Sequence, residues 1–134
     1  MQVIGRSNTA NPAYDVFVSG GRAYITEGTD GIEVVDSSSG AHLGSCTGWP
    51  SSHFAMGIYA SGSYAYVGTS DGYLVVLNLV NPNSPIIANT IVTHGPVGSG
   101  GGLCVYSNNI YLATDAGVEV YSLGNPSSPS YSTT

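Results

Sequence analysis

The chain repeats itself. Sliding the 134-residue sequence along itself by 42 positions lays Tyr24 on Tyr66, Gly20 on Gly62 and Val16 on Ile58. A further 45 positions lay Tyr66 on Tyr111 and Ile58 on Leu103. Three units fill the chain, at about residues 14–55, 56–100 and 101–134, with residues 1–13 ahead of them as an outer strand and an entry loop. Repetition at a period in the low forties constrains the fold more than any composition does, because such a unit cannot bury its own apolar faces and must stack on its neighbours.

Each unit reads as four short strands. The first carries Val16 and Val18, Ile58 and Ala60, or Leu103 and Val105, with Phe17, Tyr59 and Cys104 in the opposite phase. Apolar residues in both phases mark a strand covered on both faces. Gly20-Gly21, Gly62-Ser63 and Asn108-Asn109 are the tight turns into second strands over 22–26, 64–68 and 109–113. Turns rich in Gly, Asp and Thr lead to β-branched third strands over 32–36, 73–78 and 118–122. Asn81-Pro82-Asn83-Ser84-Pro85 and Asn125-Pro126-Ser127-Ser128-Pro129, with a proline-free counterpart at Asp36 to Gly40, then form loops to an outer edge strand. The expected fold is an all-β single domain of three β-propeller blades, each of four antiparallel strands.

The motifs Asp15-Val16-Phe17-Val18-Ser19-Gly20, Ala23-Tyr24-Ile25 with Ala65-Tyr66-Val67, Gly31-Ile32-Glu33-Val34-Val35-Asp36 and the Asn-Pro-x-Ser-Pro loops resemble the LVIVD repeat of bacterial and archaeal surface propellers. The resemblance implies four strands per blade, a cell-surface or secreted setting and no shared catalytic residues. Its motifs specify a blade and leave the chemistry open, since function lives in sites grafted on folds.

Charge removes some classes of partner. The only cationic residues are Arg6 and Arg22, against eight carboxylates and a formal net charge of -6. Binding to nucleic acid or to an anionic membrane surface needs clustered Lys and Arg, so neither is expected. No signal peptide and no membrane-spanning run is read in the chain, and the compartment stays open. Cys46 and Cys104 lack metal-ligand spacing and are expected as two buried small hydrophobes. No cofactor, metal site or catalytic residue is expected.

A ligand is expected at the axial top face, where the loops entering the inner strands meet the hairpins between second and third strands. Trp49, His53, Phe54 and His94 lie in the entry loops, and Asp30, Asp71 and Asp115 in the hairpins. An aromatic platform with convergent polar groups suits a small molecule, a glycan or a protein, bound without catalysis. An alternative is a hydrolase or lyase using His53 and His94, and another is a structural segment of a larger surface propeller. Glu33 and Glu119 share a repeat position that Leu74 fills in the middle unit, and both glutamates are read as edge or interface residues. His42 is expected at the surface.

Three blades do not close a ring, since propellers have four to eight. The expectation is a homodimer closing six blades, with Val3-Ile4-Gly5 of one chain adding the outermost strand to the last blade of the other.

Overall fold

The structure is a computed structural model, and it describes residues 9, 11–97 and 102–132. Twelve strands form three separate four-stranded antiparallel sheets in strictly sequential order. The first blade comprises β1 (Asp15–Ser19), β2 (Arg22–Thr26), β3 (Ile32–Asp36) and β4 (His42–Ser45). The second comprises β5 (Ala55–Ser61), β6 (Tyr64–Thr69), β7 (Tyr73–Asn78) and β8 (Ile86–Val92). The third comprises β9 (Leu103–Tyr106), β10 (Asn109–Thr114), β11 (Gly117–Ser122) and β12 (Ser130–Tyr131). All three are meanders of the kind found in propeller blades.

Register makes the repeat exact at the level of pairing. Phe17 faces Tyr24, Tyr59 faces Tyr66, and Cys104 faces Tyr111 across the first two strands of each blade. Tyr24, Tyr66 and Tyr111 in turn face Val34, Val76 and Val120. Two details differ from the sequence reading. The third hairpin turns on Ser107-Asn108, both at positive φ, with Asn109 already paired to Tyr106, so the turn is one residue earlier than expected. Glu33 and Glu119 pair with Ile25 and Leu112 as Val75 pairs with Val67, so Val75 and not Leu74 holds their position in the middle blade.

The core lies between blades. Tyr24, Ile32 and Val34 of the first blade pack against Ile58, Ala65, Val67, Val75 and Leu77 of the second. The opposite face of the second blade, with Tyr66, Leu74 and Val76, packs against Ile110, Leu112 and Tyr121 of the third. Each blade thus meets the next through the same two faces: a trailing face carrying the tyrosine of the second strand, and a leading face carrying its neighbours in the opposite phase.

The Asn-Pro loops latch the blades together. The Tyr66 hydroxyl donates to the Pro126 carbonyl at 2.9 Å, and the Asn89 amide reaches the Ser127 carbonyl at 3.4 Å. One blade earlier, Arg22 Nε donates to Asn83 Oδ1 at 2.6 Å, and the Thr47 backbone N–H donates to the Pro85 carbonyl at 3.0 Å.

The two end faces of the arc meet no further blade among the described residues. Tyr111 is therefore only half-buried, where Tyr24 and Tyr66 are 3% and 1% exposed. The hydroxyls of Tyr24 and Tyr111 find no partner among the described residues, unlike that of Tyr66. Cys104 is exposed on the same open side, contrary to its expected burial, while Cys46 is buried; both thiols are free. Burial pushes the Cys46 thiol up to about 11. The N-terminal segment assigned to strand exchange lies outside the described residues.

Candidate functional site

The turn between β2 and β3, Glu27 to Gly31, and the loop between β4 and β5, including Gly48 and Trp49, enclose a cavity of about 660 Å³ on the leading side of the first blade. Glu27, Asp30, Glu33, His42 and Trp49 line it. Gly31 permits this arrangement. Its φ of +81° is available to glycine, and a Cβ there would strike the Trp49 indole. The indole is fixed further by donation from Nε1 to the His53 carbonyl at 2.9 Å.

The floor of the cavity is acidic and largely buried. Glu27 and Glu33 are 7% and 8% exposed, and one carboxylate oxygen of each, Oε2, is buried without a hydrogen-bond partner among the described residues. The other oxygen of Glu33 bonds His42 Nδ1 at 2.9 Å. Burial, then the neighbouring charge of Glu33 and a proton shared with it, push the Glu27 carboxyl up to about 7, with Asp30 adding to the effect and a bond from Thr9 opposing it.

The sign of the resulting pH dependence is fixed. Glu27 holds its proton in the folded state to a higher pH than in the unfolded one, so its contribution is fully present below about 4.5 and is lost as pH rises toward 7. Urea unfolding of the wild type is expected to show stability falling by on the order of 2 kcal/mol between pH 5 and 8 from this group. Glu27→Gln, which keeps a donor without a charge, is expected to remove that slope. An identical slope in the variant would mean that no proton is shared.

The expected site residues divide into three places. Trp49 and Asp30 line the cavity, with the Asn11 amide donating to Asp30. His53, Phe54 and Asp71 sit beside it. His53 Nδ1 meets Asp71 at 2.6 Å, the Phe54 backbone N–H donates to the same carboxylate at 3.2 Å, and the His53 ring packs on Tyr73 with centroids 4.4 Å apart. Burial acts against the Asp71 carboxylate, but these bonds and one from Thr69 outweigh it and hold its pKa below the ordinary value. Phe54 packs over Gly28 and edge-on to Tyr14. His94 and Asp115 lie at the junction of the second and third blades, where the Asp115 backbone N–H donates to the Pro96 carbonyl.

His94 there meets the counterpart of Glu33. Its backbone N–H donates to both oxygens of Glu119 at 3.1 Å, its Nδ1 lies 3.2 Å from Oε1, and the Tyr121 hydroxyl donates to Oε1 at 2.7 Å. Burial opposes the Glu119 charge, and these donors outweigh it, lowering the pKa. Tyr131 stacks on the His94 ring with centroids 4.2 Å apart. Tyr131 pairs with Tyr121 as His42 pairs with Val35, so the groups around Glu119 and Glu33 correspond. One slot is filled by the segment that leaves the second blade. Among the described residues, the other holds its own blade's His42 on Glu33 and Thr9 on Glu27.

Glu27, Glu33 and His42 were missed as a group in the sequence. The available signal was a carboxylate on a mid-blade strand where the middle unit places Val75.

The LVIVD repeat model matches residues 10–45 and 54–93, the first two blades. The chain belongs to the LVIVD repeat family. Among solved structures, this LVIVD chain is similar to the Cps50 (Swd1) β-propeller domain of Myceliophteria thermophila, with a TM-score of 0.65 and 13% identity over 93% of this chain and 47% of that one. It thus spans about half the length of that domain. The computationally designed Ika4 protein also matches, with a TM-score of 0.46 and 13% identity over 92% of this chain and 99% of that chain. No curated protein matches the chain in sequence.

Proposed function

We propose that this LVIVD chain is a non-enzymatic interaction module that docks another protein surface of blade type against the leading side of its first blade. The slot over Glu27 and Glu33 takes the polypeptide segment that leaves the docked blade. One observation carries this reading. The equivalent slot in the third blade holds His94 on Glu119, whereas the first blade presents the same carboxylate with a buried oxygen still lacking a donor among the described residues. An unsatisfied buried acceptor costs roughly 1–3 kcal/mol, so an arriving N–H donor is favoured.

A small donor-rich ligand such as an amine or a glycan is a second reading, favoured by the cavity volume and by the fixed Trp49 at its wall. A histidine-based hydrolase or lyase has less support, because His53 and His94 are each held by a separate carboxylate in a separate blade.

The test uses the Val18→Glu chain, whose leading face carries a charge that opposes docking and leaves the slot free. Acetyl-Thr-His-Gly-amide is expected to raise its melting temperature and to change Trp49 emission at millimolar concentration, with both effects lost in Glu33→Ala. Chitobiose and putrescine serve as the competing probes. A response to either of them and not to the peptide would favour the small-ligand reading. Silence to all three would remove the slot as a binding site.

A further inference from the structure

We infer that the partner at both open faces is a second copy of this chain, joined front to back, so that two arcs close one six-bladed ring. This rests on the interaction reading above and names its partner. The two end faces are copies of surfaces that already meet twice within the chain. On the leading side, Val16 and Val18 correspond by register to Ile58 and Ala60, which pack on the first blade, and to Leu103 and Val105, which pack on the second. Ala23, Ile25 and Val35 correspond likewise to Ala65, Val67 and Leu77. On the trailing side, Tyr111, Val118 and Val120 correspond to Tyr66, Leu74 and Val76.

Exposure marks the difference. Val16, Val18 and Val118 are 54%, 61% and 70% exposed, where their counterparts Ile58, Ala60 and Leu74 are 2%, 7% and 0%. A hollow of about 360 Å³ lies on the trailing face between Leu103, Cys104, Tyr111, Ala113 and Val118.

Geometry selects two copies. The blades meet through equivalent faces, so arcs joined front to back extend the ring, and two of them give six blades, within the usual four to eight, while three give nine. Two seams that each repeat an inter-blade core are expected to bury more than about 2,000 Å² in total.

The test is complementation. Val18→Glu alters only the leading face and Val118→Glu only the trailing face, at exposed positions; a circular dichroism spectrum with wild-type strand content checks that each variant folds, while its melting temperature is expected to fall with loss of the dimer. The wild type is expected to be a dimer in native mass spectrometry, and each variant alone is expected to dimerise at least 100-fold more weakly. An equal mixture of the two, one labelled with ¹⁵N, is expected to form the heterodimer, because one of its two seams is then wild-type on both sides. Failure of the mixture to form a heterodimer, or dimerisation unaffected by Val118→Glu, would overturn the front-to-back closure. A folded wild-type monomer, with the Val18→Glu chain still binding the peptide in its slot, would overturn the second copy while leaving the interaction reading intact.

Discussion

Tyr66→Ala is expected to lower the free energy of unfolding by about 3 kcal/mol or more, the range of large aromatic deletions in packed cores. The ring is 1% exposed between the second and third blades, among Met56, Val76, Ile110 and Leu112, and its removal leaves a cavity that two rigid sheets cannot close. The hydroxyl contributes separately through its bond to the Pro126 carbonyl. Burial first, then the neighbouring Tyr64, keeps this phenol protonated, with its pKa raised to about 12, so it remains a donor across the working pH range. Tyr66→Phe is expected to cost about 1 kcal/mol, the net value of a typical hydrogen bond, and the difference between the two variants is then the packing of the ring. Denaturant unfolding measures both. A loss under about 1 kcal/mol for Tyr66→Ala would mean that the inter-blade core does not depend on the repeated tyrosine.

Gly44→Ala is expected to be nearly as damaging, by about 2–3 kcal/mol, for the opposite reason. Val34 pairs with Gly44 in the first blade as Val76 pairs with Asn89 in the second. At the second position the Asn89 side chain reaches the Ser127 carbonyl of the latch loop. At the first, the corresponding Asn83 carbonyl comes so close that any Cβ on Gly44 would overlap its oxygen. The obstacle is backbone on both sides, so relief requires moving the 81–85 loop away from Gly44, which strains the Arg22–Asn83 and Thr47–Pro85 bonds as well. Unfolding midpoints would show it. A Gly44→Ala chain as stable as the wild type would mean that the latch loop yields freely.

These two positions also show what was legible in advance. The tyrosines were visible because an aromatic recurring at the same place in each unit, flanked by Ala and a β-branched residue, has one use in a repeat protein. Strand positions followed from alternation and turn residues and agree with the structure to within a residue or so. Gly44 carries no such signal, since the carbonyl it accommodates arrives from forty residues away.

The misplacement of Leu74 beside the two glutamates traces to the turn glycines. Gly31, Gly72 and Gly117 look equivalent, yet Ile32, Leu74 and Val118 are the residues that pair equivalently across the hairpins, so Gly72 stands one position early. Aligning on it sets Leu74 beside Glu33 and Glu119 and hides the fact that those carboxylates replace an apolar residue, Val75. That substitution is what makes the acidic slot. Trp49 and Asp30 were legible as site residues because entry loops and hairpins share a rim. His53 and Asp71 were placed near them for the same reason, but their mutual bond is a tertiary contact that no spacing reveals. His94 belongs to a different junction, and its partner Glu119 was read only as an interface residue.

Closure of the arc by its own kind is tested most directly by the mass of the native particle. Sedimentation equilibrium of the wild-type chain at micromolar concentration and neutral pH is expected to give twice the chain mass, with no monomer until the protein unfolds. A stable, folded species of single-chain mass would contradict it.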